Sequence, residues 1–144
     1  MSAWYSRQVW FVADVESAVA FYVAKLGFAE SWRHVEEGKL LVAQVAREGC
    51  ELILSCQWPE KVGKGMMFIS LSREDFAVLR PELEANGVAV KDGWWGYSCL
   101  IVDDPDGNQL YFPEPGKAQA RAALSAATKL AARGPTASAV SPGL

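Results

Sequence analysis

The stretch DVESAVAFYVAKLGF, residues 14–28, decides how the rest of the chain is read. Its larger apolar residues Val15, Val19, Tyr22 and Leu26 recur at steps of three or four, which draws one face of an α-helix. Asp14 is a residue of the N-cap type, and Gly27 supplies the stop. Just before it, residues 7–12 (RQVWFV) are short, β-branched and aromatic, as a strand requires. Three further strands are expected after it, over residues 28–35, 39–47 and 50–56. Glu37-Gly38 and Glu48-Gly49 stand between them as hairpin turns. The first half therefore reads β-α-β-β-β.

The same order returns further on. Residues 57–65 (QWPEKVGKG) break the pattern with Pro59, Gly63 and Gly65 and serve as a connection. A strand is expected over residues 66–71, with Ser72 as the cap of a helix whose apolar side is Phe76, Leu79 and Leu83. Asn86-Gly87 ends that helix, and Pro81 inside it is expected to kink or split it. Residues 88–90, 98–103 and 109–112 are the last three expected strands, the Trp95-Gly96 pair opening the second of them. The repeat has a period of about fifty to sixty residues. The predicted fold is α+β: two βαβββ modules forming a curved mixed-sheet cup with helices outside. Module boundaries fall at residues 1–56 and 66–115, with 57–65 as linker. Residues 117–133 are rich in alanine and predict a C-terminal helix with Leu124, Ala127 and Leu130 as its apolar stripe; a flexible tail follows.

Composition bounds the function. The 144 residues are 51% hydrophobic and 22% charged, with a net charge of −3. Nothing supplies the basic stripe that nucleic-acid binding needs. No window approaches the apolar run of a membrane span, and the first seven residues lack the features of a secretory signal. The expectation is a cytoplasmic protein with no nucleic-acid or membrane partner. Cys50, Cys56 and Cys99 are odd in number and lack CxxC spacing, which reads as reduced thiols.

Two motifs carry a family resemblance. Asp14-Val15-Glu16-Ser17 with Phe21-Tyr22-Val23-Ala24-Lys25-Leu26-Gly27-Phe28 resembles the opening of the vicinal-oxygen-chelate superfamily, which includes glyoxalase, extradiol dioxygenases and bleomycin-resistance proteins. Trp95-Gly96-Tyr97, then Asp104-Pro105-Asp106-Gly107-Asn108, is similar to its closing hairpin. The resemblance implies a ligand cup on the curved sheet, often completed by a second copy, and hence a homodimer. It also implies four metal-ligand positions, which fall here on Arg7, Ile53, Met66 or Met67, and Tyr111. None of these is a usual metal ligand. A facial triad needs two histidines, and the chain has only His34. No metal, cofactor or catalytic residue is therefore expected.

What remains is a binding site. Arg7 stands at a position the resemblance implies, and strand parity from the implied position Ile53 puts Glu51 on the same cup face, either as an internal ion pair with Arg7 or in contact with ligand. In metal-free bleomycin-resistance proteins, aromatic residues at comparable regions stack on a planar drug; the resemblance gives that role to Phe68 and Trp95, with Trp32 at the rim. Arg7, Trp32, Glu51, Phe68, Trp95 and Tyr111 are thus the expected ligand-binding residues. The expected partner is a small molecule, planar aromatic or cationic, sequestered by a resistance-type protein. The alternatives are a divergent metal-dependent lyase, isomerase or dioxygenase of the same superfamily, and an interaction protein whose cup is closed by side chains.

Overall fold

The computed structural model describes residues 3–116. In the first module β1 (Gln8–Phe11) leads into α1 (Val15–Ala24), followed by β2 (Ala29–Glu36), β3 (Lys39–Arg47) and β4 (Cys50–Ser55). The cap acts as expected: the Asp14 carboxylate accepts the Ser17 N–H at 2.8 Å. At the other end Gly27 takes φ +75°, and the Phe28 N–H returns to the Tyr22 carbonyl at 3.0 Å. The β2–β3 turn places both Glu37 and Gly38 at positive φ, the pairing that matches the twist of a hairpin. The sheet order is β1-β4-β3-β2, with β1 parallel to β4 and the other pairs antiparallel. Trp10, Leu52 and Leu54 are buried in the core with Val15, Val19 and Tyr22 of α1. On the opposite face Val9, Ile53, Gln44 and Trp32 stand in register across the four strands.

The second module repeats the order. It runs β5 (Met66–Phe68), α2 (Arg73–Ala85), β6 (Lys91–Trp94), β7 (Ser98–Asp103) and β8 (Gln109–Pro113). Its sheet order is β5-β8-β7-β6, so the expected curved sheet consists of two four-stranded halves. Val102 and Leu110 are fully buried and join Leu79 and Leu83 of α2 in the same core.

The closing DPDGN turn holds the two modules together. The Tyr22 hydroxyl of α1 donates to the Asp104 carboxylate at 3.0 Å, and the Ala13 N–H donates to Asp106 at 3.0 Å. Asn108, fully buried, donates to the Phe11 carbonyl and to Asp104 while accepting the Gly65 N–H at 2.7 Å. Gly65 lies flat on the Trp10 indole, where an added Cβ would sit 2.6 Å from Cδ1. Farther along, Arg47 of β3 makes a bidentate pair with Glu82 of α2 at 2.8 and 2.9 Å.

Four details differ from the sequence reading, the first being that the strand expected over residues 66–71 ends at Phe68. Residues 88–90 are not a strand; the strand is β6, three residues later. The reason is the end of α2: Gly87 takes φ +81°, its N–H bonds the Glu84 carbonyl, and the Val88 N–H bonds the Leu83 carbonyl at 2.9 Å. That double closure consumes the Val88 donor a ladder would need. Trp95 does not open a strand but sits in the turn between β6 and β7. Pro81 does not split α2, which runs through it, because a single proline removes one backbone donor while Leu79 and Leu83 stay anchored in the core. The alanine-rich segment 117–133 and the tail lie outside the described residues.

Candidate functional site

β5, β8 and the β6–β7 turn bring three aromatic rings together. Phe68 pairs in register with Tyr111, so both point to the face opposite Leu110. Their rings stack at 5.0 Å with an interplanar angle of 17°. Trp95 meets Phe68 edge-on at 5.1 Å and Tyr111 at 6.0 Å. Tyr111 is buried beneath, while Phe68 and Trp95 remain half-exposed, leaving ring surface for a flat ligand.

A polar chain runs away from this trio along the same face. The Tyr111 hydroxyl donates to the Gln109 side-chain oxygen at 3.0 Å. The Gln109 amide donates to Asp103 at 2.8 Å, and Lys91 pairs with the other Asp103 oxygen at 2.6 Å. Partial burial opposes ionisation of Asp103, yet Lys91 and Gln109 together hold its carboxyl below the ordinary value. Gln109, Asp103 and Lys91 were not foreseen. Strand parity with Tyr111 was the available signal, since residues two apart in a strand share a face.

Arg7 and Glu51 lie on the first module and do not pair with each other. The Arg7 guanidinium donates to the Gln44 side chain at 2.8 Å and lies 5.4 Å from the centre of the Tyr5 ring. Glu51 instead accepts the Tyr5 hydroxyl. The ion pair weighed from sequence fails because Tyr5 and Gln44 each offer a closer neutral partner. Tyr5, two residues before Arg7, was missed despite the same parity. Trp32 is on β2, exposed and opposite Gln44, with no ring contact to the trio among the described residues.

A cavity of about 740 Å³ opens beside the trio, on the α2 side of the second sheet and against the first module. Met67, Ile69, Leu71 and Val78 give it an accessible apolar lining with the buried Leu79, Leu83, Val102, Leu110 and Phe112 behind them, and Arg7, Glu51 and Phe68 stand along its border. Trp32, Trp95 and Tyr111 do not line it. The six expected residues therefore divide: Phe68, Trp95 and Tyr111 form one cluster, Arg7, Glu51 and Phe68 share the cavity, and Trp32 stands apart.

The four positions that the resemblance gives to metal ligands carry no suitable donors. The register settles that Met66, which faces Gln109, rather than Met67, shares the Tyr111 face. Arg7, Ile53, Met66 and Tyr111 thus offer a guanidinium, an alkyl group, a thioether and a phenol, which do not fit a divalent ion. Among the described residues no group of three His, Cys, Asp or Glu side chains is placed to hold a metal. His34 is exposed and pairs with Glu36 at 2.8 Å.

Two βαβββ modules, each with a four-stranded mixed sheet, define the fold class of this chain. The profile of the Glyoxalase/Bleomycin resistance protein/Dioxygenase superfamily matches residues 6–112, and the chain belongs to that superfamily. Among solved structures, TnmS3, an antibiotic binding protein from Streptomyces sp. CB03234, is similar at 25% identity and TM-score 0.60, covering 81% of this chain and all of that one. The bleomycin-binding protein of Streptomyces verticillus, in complex with copper(II)-bleomycin, shares the fold at 22% identity and TM-score 0.60, over 78% of this chain and 97% of that one. Lactoylglutathione lyase from Agrobacterium tumefaciens also shares it, at 15% identity and TM-score 0.58, over 78% and 93%. No curated protein matches by sequence. No helix among the described residues is long and apolar enough to cross a membrane.

Proposed function

We propose that this protein binds a planar small molecule without a metal and protects by sequestering it, the ligand being an antibiotic or a related metabolite. The observation that carries the reading is the Phe68–Tyr111 stack with Trp95 edge-on beside it, continued by Tyr111, Gln109, Asp103 and Lys91. Aromatic walls with a few placed polar groups suit a planar ligand that bears hydrogen-bonding substituents at its edge. Stacking on Phe68 and Trp95 supplies affinity, and the Gln109–Asp103–Lys91 chain selects among substituents. Similarity to an antibiotic binding protein supports this choice over the metal-dependent reading, which the donor set at Arg7, Ile53, Met66 and Tyr111 disfavours.

The working unit in this proposal is a cytoplasmic homodimer. All eight residues of β2, a sheet-edge strand, are exposed, including Trp32 and Val35. A second copy would cover that face and bring Trp32 to the rim of a complete cup. Light scattering at micromolar concentration checks the dimer. The binding reading is tested by tryptophan fluorescence against a panel of planar antibiotics, bleomycin included, with and without a chelator. Saturable quenching that survives chelation is the expected result. A flat response across the panel, or binding that requires added metal, contradicts it.

A further inference from the structure

The cavity beneath α2 has a charge pattern that the aromatic face does not share. Four carboxylates, Glu48, Glu51, Asp75 and Glu82, and two guanidinium groups, Arg7 and Arg47, line it. Arg47 is paired with Glu82 and donates to the Leu26 carbonyl, whereas Arg7 donates to the neutral Gln44 side chain and keeps its charge, so the lining is negative by two. Glu51 is occupied by the Tyr5 hydroxyl. Glu48 and Asp75 enter no ion pair among the described residues, yet they belong to different modules and border one space. Behind them the wall is aliphatic and aromatic, and about 740 Å³ exceeds what water needs by many fold. Glu48 and Asp75 both feel the Arg47 charge through space, but four carboxylates against two guanidinium groups leave the chamber net negative, which favours a ligand whose bulk is apolar and whose charge is positive.

We propose that this chamber is a second ligand site, reached from the side opposite the Phe68–Tyr111 stack, which takes bulky hydrophobic cations, with Glu48 and Asp75 supplying the charge and Met67, Ile69, Leu71 and Val78 the accessible apolar wall. Cys50 reports on occupancy, because its thiol lines the same space 3.9 Å from the Met67 sulfur.

The test uses the full chain and two ions of matched shape, tetraphenylphosphonium and tetraphenylborate. Calorimetry is expected to give one saturable site per chain for the phosphonium and weaker binding for the borate. Alkylation of Cys50 by iodoacetamide, located by mass spectrometry with Cys56 as internal reference, slows severalfold in the presence of the phosphonium. The double variant Glu48→Gln/Asp75→Asn, whose folding is checked by its melt, binds the phosphonium about tenfold more weakly. Absence of saturable phosphonium binding, equal or tighter binding of the borate, unprotected Cys50, or full affinity in the double variant overturns the inference. Cys50 protection reports the chamber alone, so either outcome leaves the planar-ligand reading at Trp95 to its own test.

Discussion

The Tyr22 hydroxyl donates to the Asp104 carboxylate at 3.0 Å across 82 residues of chain, and both groups are buried. Tyr22 belongs to the FYVAKLGF motif and Asp104 opens the DPDGN turn, so the two sequence signatures of the superfamily meet in one hydrogen bond. Asp104 also receives the backbone N–H groups of Asp106 and Asn108 at 2.9 Å. The turn is thereby shaped by the same carboxylate that anchors it to the other module.

Tyr22→Phe leaves a buried carboxylate short of one donor. A hydrogen bond to a charged group contributes about 1.5–3 kcal/mol, so denaturant unfolding is expected to show a loss of that order. A loss below about 0.5 kcal/mol, the range of ordinary surface changes, would mean that Asp104 is fully served by Asp106 and Asn108.

The same tyrosine makes the fold sensitive to alkali. Burial, then the charge of Asp104, raises its pKa far above the ordinary tyrosine value of about 10. Below that value both folded and unfolded chains keep the proton, and the contribution is complete. Above it the unfolded chain releases a proton that the folded chain retains, and stability falls by about 1.4 kcal/mol per pH unit. Melts from pH 9 to 11 should therefore decline more steeply for the wild type than for Tyr22→Phe (about pH 10 is the onset for a free tyrosine). Parallel curves would remove this assignment.

Gly65→Ala is expected to destabilise although Gly65 has an ordinary φ. The new Cβ would meet Trp10 Cδ1 and Nε1 at 2.6 Å and Cδ2 at 2.7 Å, and the indole is held in the core. Overpacking of this kind costs about 1–3 kcal/mol. An unchanged melting temperature would show that the seam between modules yields more easily than its packing implies.

Much of this architecture is legible in the residues. Alternation and helical spacing place both βαβββ units, and Asp14, Gly27 and Ser72 mark helix ends where the structure has them. What fails is local. Val88 and Val90 have strand character, but the Gly87 closure claims the Val88 N–H, and propensity does not record that competition. The candidate site was read in part. Parity around β5 and β8 leads to Phe68 and Tyr111, whereas the Tyr5–Glu51 and Arg7–Gln44 pairs depend on how an extended N-terminal segment lies across the sheet. No periodicity encodes that path. The cavity was equally illegible, since it arises between α2 and residues of the other module.

The central claim is that Trp95 helps form a ligand surface rather than the core. Trp95→Ala removes two edge-on ring contacts, each worth about 0.5–1.5 kcal/mol between aromatic pairs, from a half-exposed position. The most direct measurement is a paired titration and thermal melt of wild type and Trp95→Ala against a planar antibiotic that quenches the wild type. The variant is expected to melt within a few degrees of the wild type and to lose most of its affinity. A large drop in melting temperature with affinity unchanged would contradict it.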